Sequence, residues 1–152
     1  MELKKLLVLI LLLSFSKLNA DIILPNKNFS PFEVIKIQLE ALKNNDKPKM
    51  DNGIKQTWVF AHPKNKKVTG PYQRFRLMIY DVHYRILLNH YSHKIDLLFK
   101  NNIKYIYGVK IVDKEKKQFY YEWHVELGNE MECNKCWFTS VVSMPTDQGS
   151  SI

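Results

Sequence analysis

Three residues of this chain are the candidates for proton transfer on a substrate. Asp81 and Tyr84 lie close together in the sequence, and His62 stands directly before a proline. A carboxylate or imidazole held in a cavity, with a phenol opposite, can move a proton on a small substrate. Asp81, Tyr84 and His62 are therefore the candidate catalytic residues. Their ordinary structural roles are also open, with Asp81 capping a turn and His62 capping carbonyls at a helix end.

Two further pairs of residues could bind a metal or form a disulfide. His90 and His93 are three residues apart, a spacing that permits metal binding from one face of a helix. The pair falls where helix gives way to strand, and Asp96 is the sole candidate for a third ligand, so we expect no metal and no cofactor. Cys133 and Cys136 form a CxxC motif. It can be a small disulfide loop, a redox pair or half of a zinc site.

A larger set of aromatic and apolar residues could line a cavity or fill a core. Large apolar pockets with a few polar groups are the usual shape of small-molecule sites. Side chains at helical or alternating spacing also pack together simply as core. The candidate ligand-binding residues are Trp58, Phe60, Phe75, Met78, Tyr107, Tyr121, Trp123 and Trp137.

Capping signals and apolar periodicity predict three helices in the first half of the chain. Ser30 can cap the first helix, Pro31 suits its first position, and Glu33 can complete a capping box. A second, short helix is capped by Asp51 and ends before His62 and its proline. A polar loop follows, and a third helix opens at residues 69–71.

After the third helix the apolar pattern changes to period two, which is typical of strands. Residues 95–99, 103–111, 119–127 and 137–142 are the predicted strands, and the longer ones each have one apolar face. Helices that precede strands indicate an α+β fold. We expect three N-terminal helices packed on one side of a curved antiparallel sheet, because a sheet with one apolar face is covered on that side alone.

The start of the chain has the pattern of an export signal. Lys4 and Lys5 precede an apolar run at residues 6–13, and Ala20 offers a small residue before a cut at Asp21. The run is too short to span a bilayer, which needs about 20 apolar residues. We expect a periplasmic or secreted protein without a transmembrane segment after signal removal; a thylakoid or plastid lumen is the alternative. The predicted divisions are a signal peptide at 1–20, an extended segment at 21–29, one domain at 30–144 and a flexible tail at 145–152.

The positive charge of the chain has two possible interpretations. The 152 residues carry a formal net charge of +8, with lysines scattered along the sequence. This pattern fits a solvated lysine surface, and it also fits a preference for anionic partners such as lipid headgroups. No basic run with interleaved aromatic residues indicates nucleic-acid binding. Export also argues against a nucleic-acid partner, so we expect none.

Several short motifs between residues 30 and 142 occur together. They are Gln38-Leu39-Glu40-Ala41-Leu42, Asn45-Asp46, Asp51-Asn52-Gly53-Ile54, Phe60-Ala61-His62-Pro63, Thr69-Gly70-Pro71 with Arg74-Phe75 and Met78, Leu87-Leu88-Asn89-His90, and Cys136-Trp137. In these motifs the chain resembles an uncharacterised family, domain of unknown function 4864. The order of helices and strands is similar to the NTF2-like cone that ketosteroid isomerase and the SnoaL-type cyclases also use. The resemblance implies a cavity inside the cone and a homodimer through the exposed sheet face. It implies no established activity.

Two functions follow as expectations. The first is a non-catalytic module that binds a small apolar ligand or a partner protein. The alternative is an enzyme of the isomerase or dehydratase type that uses Asp81, Tyr84 and His62 on a small apolar substrate. A cavity with Asp81 or His62 pointing inward would favour the enzyme, and an apolar cavity would favour binding. A redox or metal-responsive role of Cys133 and Cys136 is a third interpretation.

Overall fold

The computed structural model describes residues 21–128 and 133–150, so the predicted signal peptide lies outside the described part. This part forms an α+β fold, as predicted, with four α-helices, a 3-10 turn and five strands. The helices are α1 (Pro31–Lys43), α2 (Asn52–Val59), α3 (Pro63–Thr69) and α4 (Tyr72–Ile79), and the 3-10 turn is Arg85–Leu87. The strands are β1 (Ser92–Lys100), β2 (Lys104–Val112), β3 (Lys117–Gly128), β4 (Cys136–Val142) and β5 (Thr146–Ser150). None of these helices is long and apolar enough to cross a membrane.

Helix α3 occupies the segment for which the sequence predicts a polar loop. The backbone N–H of Lys64 donates to Nδ1 of His62 at 3.2 Å, so His62 caps the start of a helix and not its end. Gly70 follows the helix with a φ of 82°, in the left-handed region that favours glycine. No residue of α3 is fully buried. The helix therefore has no apolar stripe that periodicity could detect.

The starts of α1 and α2 differ in how far along the chain their capping residues lie. Helix α1 begins with the predicted capping box between Ser30 and Glu33. At α2, the side chain of Asp51 makes no capping hydrogen bond. Asn45 acts in its place, since its Oδ1 accepts from the backbone N–H of Ile54 at 3.0 Å.

Asp51 instead joins the start of α2 to α4. Its carboxylate accepts hydrogen bonds from Nε of Arg76 and from the hydroxyl of Tyr80. Burial opposes ionisation of Asp51, but the bonds from Tyr80 and Arg76 outweigh it and hold the pKa of the carboxyl below its ordinary value. The hydrogen bonds from Arg76 and Tyr80 to Asp51 therefore link two helices, and no local sequence signal indicates this link.

The sheet is antiparallel, with the strand order β1-β2-β3-β4, and β5 pairs with β3 beside β4. Strand β4 pairs with β3 at residues 123–128, while β5 pairs with it at residues 117–120. The segment 146–150 is thus a strand where the sequence predicts a loose tail. The reason is that β3 is much longer than β4, so part of its edge is left for another strand to pair with.

One face of the sheet packs against the helices and forms the core. The predicted alternation places Tyr107, Val109 and Ile111 of β2 in this core, and β3 adds a matching set. Val34, Ile35, Leu39 and Leu42 of α1 are fully buried against it.

The sheet contains three register shifts. They lie at Leu98 of β1, Ser140 of β4 and Gln148 of β5, each of which is skipped in the pairing with the neighbouring strand. Such bulges bend a strand and increase its twist. A glycine inside a strand often marks a bulge, but β2 pairs regularly with both neighbouring strands at Gly108. The missing side chain of Gly108 instead leaves space for the phenol of Tyr120.

Candidate functional site

A cavity of about 230 Å³ lies between the helices and one end of the sheet. Its helical side consists of Gln38, Leu42, Thr57, Ala61, Asn65, Thr69, Phe75, Met78, Ile79, Tyr84 and Leu87. Its sheet side consists of Trp123, Thr139, Ser140, Val141 and Val142. The lining is therefore mainly apolar, with several neutral polar groups.

A chain of buried hydrogen bonds crosses the closed end of the cavity. The indole Nε1 of Trp123 donates to the hydroxyl of Thr139 at 3.0 Å, and that hydroxyl donates to Oε1 of Gln38 at 2.5 Å. Nε2 of Gln38 then donates to the backbone oxygen of Thr57 at 3.0 Å. The Thr139 hydroxyl thus acts as acceptor and donor at once, and it joins the sheet to α1.

Thr139 is held in place by the segment that follows α2. The backbone N–H of His62 donates to the carbonyl of Thr139, and the N–H of Thr139 donates to the carbonyl of Phe60, both at 2.8 Å. This pairing forms a short parallel bridge between Ala61 and Thr139. The bridge fixes the position of β4 relative to the end of α2. It thereby positions the Thr139 hydroxyl toward the cavity.

The cavity opens where its lining residues retain exposure to solvent. Gln38, Trp123 and Thr139 are buried, whereas Asn65, Thr69, Met78, Tyr84, Ser140 and Val142 are half-buried and Val141 is exposed. The mouth therefore lies between α3, α4 and the end of β4.

Tyr84 lines the cavity, but its phenol hydroxyl already donates a hydrogen bond to the protein backbone. The hydroxyl donates to the backbone oxygen of Val142 at 3.1 Å. Burial, followed by the nearby charge of Asp81, raises the pKa of Tyr84 above its ordinary value. Tyr84 is therefore a protonated hydrogen-bond donor that ties the segment before β1 to β4.

The other two catalytic candidates do not line the cavity. Asp81 is exposed, and its Oδ1 accepts from the backbone N–H of His83 at 3.1 Å, which is the turn-capping role. His62 is buried at the start of α3, with its ring edge-on to Phe138. No carboxylate, imidazole, ammonium or guanidinium group is found among the described lining residues.

The predicted ligand-binding residues separate into two groups. Phe75, Met78 and Trp123 line the cavity. Phe60 and Tyr121 are fully buried core residues outside the lining. The hydroxyl of Tyr121 donates to the backbone oxygen of His83 at 2.8 Å, and burial raises the pKa of this phenol.

The remaining three aromatic residues contact other side chains. The ring of Trp58 lies 5.0 Å from that of Phe75, and Trp58 itself is not a lining residue of the cavity. Trp137 meets Tyr105 edge-on at 5.2 Å between ring centres. Tyr107 is core, and burial raises its pKa to about 12.

The polar lining was missed by reasoning from the sequence. Gln38 occurs in the apolar stripe of α1 between Ile35 and Leu42, at positions that the structure buries. A polar residue at a core position is costly unless it is hydrogen-bonded. That signal could have identified Gln38, although nothing local indicates Thr139 as its partner.

His90 and His93 contact each other. Nε2 of His90 lies 2.7 Å from Nδ1 of His93, and Nδ1 of His90 lies 2.7 Å from the carbonyl of Leu87. Since a carbonyl only accepts, Nδ1 of His90 carries the proton, and a neutral His90 accepts from His93. Burial lowers the pKa of His90 to about 4. Asp96 pairs with Lys94, and the described residues contain no cluster suited to a metal ion.

Cys133 and Cys136 are joined as a disulfide at the start of β4. Cys136 is fully buried, and Cys133 is half-buried, with its sulfur 3.6 Å from the backbone oxygen of Pro25. Cys133 and Phe138 border a separate groove, and neither cysteine lines the cavity. It closes a short loop and contributes nothing to the lining.

Comparisons of the chain with protein-family models, with curated proteins and with solved structures found no match. What the cavity can bind is therefore inferred from its own side chains. These side chains offer an apolar enclosure with a hydrogen-bonded polar end and neutral polar groups at the mouth.

Proposed function

We propose that this chain is an exported, non-catalytic module that binds a small, mainly apolar ligand between its helices and its sheet. The observation that carries the proposal is the lining of the cavity. Phe75, Met78 and Ile79 supply apolar contact area, while the Gln38 and Thr139 pair supplies polar atoms at the closed end. An apolar pocket with a few placed polar groups is the usual form of a small-molecule site.

The size of the cavity limits the ligand. At about 230 Å³ it lies between a cavity of about 150 Å³ that admits benzene and the lower limit of about 300 Å³ for ordinary ligand pockets. A ligand on the order of ten non-hydrogen atoms would fill it. The polar end favours a ligand with one hydroxyl group, which can donate to the remaining lone pair of the Thr139 hydroxyl.

Binding is better supported than proton transfer. An isomerase or dehydratase needs an acid or base within reach of the substrate. Asp81 lies on an exposed turn, and His62 accepts a helix N–H with its ring. Tyr84 alone of the three candidates touches the cavity, and its high pKa makes it a poor base at neutral pH.

We also propose the NTF2-like cone as the parent architecture and export as the destination. Four helices before an antiparallel sheet, strand bulges and a cavity between helices and sheet support the first proposal. The basic start, the short apolar run and Ala20 support the second. A homodimer through the outer sheet face is a prediction of the same resemblance, and a protein partner in place of a small ligand is the other form of the binding hypothesis.

Two experiments test ligand binding. Native mass spectrometry of the protein purified from its exporting host would detect a bound mass that is lost on denaturation. Titration with p-cresol, followed by the ¹³C signal of the Met78 methyl group, would test the cavity directly. We expect the signal to shift and saturate.

A matched pair of variants makes the titration specific. Ala61→Leu places three extra carbons in the cavity and should abolish the shift. Ala41→Leu makes the same change in a separate groove beside α1 and should leave the shift intact. If both variants respond to p-cresol as the wild-type protein does, the cavity is not the binding site.

A further inference from the structure

Most of the helical wall of the cavity belongs to a segment whose only charged residues are basic. Residues 52–80 span α2 to α4 and contain no Asp or Glu; their basic residues are Lys55, Lys64, Lys66, Lys67, Arg74 and Arg76. Arg76 is paired with Asp51. Within residues 21–128 and 133–150, no salt bridge involves Lys64, Lys67 or Arg74. These three cations are therefore available to an anionic partner.

Two strongly exposed apolar side chains accompany these cations. Val68 of α3 is 80% exposed, and Leu77 of α4 is 67% exposed. Val68 and Leu77 belong to α3 and α4, the two helices that border the cavity mouth. Apolar surface is thus presented to solvent on both of these helices.

The cations and the apolar side chains form one surface. Lys64, Lys67 and Val68 have the i, i+3, i+4 spacing of a single helix face. Arg74 packs over Gly70, directly after α3, since a Cβ on Gly70 would lie 3.0 Å from Cδ of Arg74. Leu77 follows Arg74 at i+3 on the exposed face of α4. We name these five residues, Lys64, Lys67, Val68, Arg74 and Leu77, the mouth patch.

We propose that the mouth patch docks on an anionic lipid bilayer, so that the two helices beside the cavity mouth lie against the membrane. Cations that flank exposed apolar residues match a bilayer, because headgroup phosphates lie directly above acyl chains. Long basic side chains can reach the headgroups while their stems cover apolar surface. A nucleic acid would match the charge but offers no apolar layer for Val68 and Leu77. Docking itself does not require the proposed function. Only its biological role, loading an apolar ligand from the lipid into the cavity, rests on that function.

Vesicle co-sedimentation of the mature protein tests the inference. The vesicles are phosphatidylcholine with and without phosphatidylglycerol, at low and at high salt. We expect sedimentation with the phosphatidylglycerol vesicles, weakened by salt. Each cation near the surface changes the partition coefficient about fivefold, so the triple variant K64Q/K67Q/R74Q should bind about a hundredfold more weakly.

Two further variants separate insertion from charge. The double variant V68D/L77D should lose binding about tenfold or more, since burial of apolar groups in the lipid is replaced by repulsion. The control L98D alters an equally apolar, 52% exposed side chain on the edge strand β1 and should bind as the wild-type protein does. Equal binding to both kinds of vesicle, or a loss with L98D as large as with V68D/L77D, would overturn the assignment.

The p-cresol titration keeps this result distinct from the proposed function. The mouth-patch variants should retain the Met78 shift, which also shows that they are folded. Retained shifts without any vesicle binding by the wild-type protein would refute docking and leave the cavity proposal intact. Vesicle binding that depends on the mouth patch, without any p-cresol shift, would support docking and count against the cavity.

Discussion

Replacing Thr139 by valine should destabilise the protein through hydrogen bonding alone. Valine has nearly the shape of threonine, so the change removes the hydroxyl and adds no cavity. It leaves two buried groups without partners, Nε1–H of Trp123 and Oε1 of Gln38. An unpaired buried group costs about 1–3 kcal/mol. Because a water molecule could enter from the adjacent cavity, we expect the lower part of the summed range, about 2–3 kcal/mol.

Thr139→Ser is the matched control, since it retains the hydroxyl and removes one methyl group. The lost burial should cost about 1 kcal/mol. The free energy of unfolding should therefore decrease in the order wild type, Thr139→Ser, Thr139→Val. Urea unfolding followed by tryptophan fluorescence measures this order, and an unchanged m value would show that the amount of exposed surface is the same.

The order of the two variants decides the argument. A Thr139→Val protein at least as stable as Thr139→Ser would mean that methyl packing, and not the bridging hydroxyl, determines stability at this position. The inferred link between sheet and α1 would then be refuted, together with the polar end of the cavity.

Three other perturbations have clear expected outcomes. The pKa of Asp51 is lower in the folded protein than its ordinary value of 3.8. The ionised carboxylate therefore stabilises the fold above that value, and this contribution is lost as the pH falls through the folded pKa. Asp51→Asn should make the free energy of unfolding in urea less dependent on pH below about pH 4. The pKa of His90 falls from 6.5 to about 4, so stability should decrease by up to about 3 kcal/mol as the pH falls between these values, and His90→Asn, which can still donate to Leu87, should reduce that slope to the part contributed by His93, whose pKa burial also lowers. Replacing both Cys133 and Cys136 by serine should lower the free energy of unfolding by about 2 kcal/mol, because the disulfide closes a very short loop; no change in urea midpoint would contradict this.

Local signals were sufficient for much of the secondary structure. The capping box of α1 lies within four residues, and the alternation of β2 and β3 follows from the period of a strand with one buried face. These features depend on neighbouring residues, so the sequence specifies them directly. The α+β class follows from their order, with helices before strands.

The formation of helix α3 and strand β5 depends on residues outside these two segments. No residue of α3 is fully buried, so no apolar period marks it, and its cap is a histidine before a proline. Strand β5 has five exposed residues and no apolar face. It pairs because β3 extends beyond β4, and the length of a distant strand cannot be seen in the residues of β5 themselves.

The sequence by itself determined the class of fold, the principal helix and the faces of the long strands. The tertiary structure decided which residues form the site. Gln38 and Thr139 are 101 residues apart, and their hydrogen bond exists because the bridge at Ala61 sets the position of β4 against α2. Candidates chosen by residue type, Asp81 and His62, instead found partners in nearby backbone N–H groups. A polar side chain bonds to whichever group packing brings within about 3 Å, and packing is a property of the whole chain.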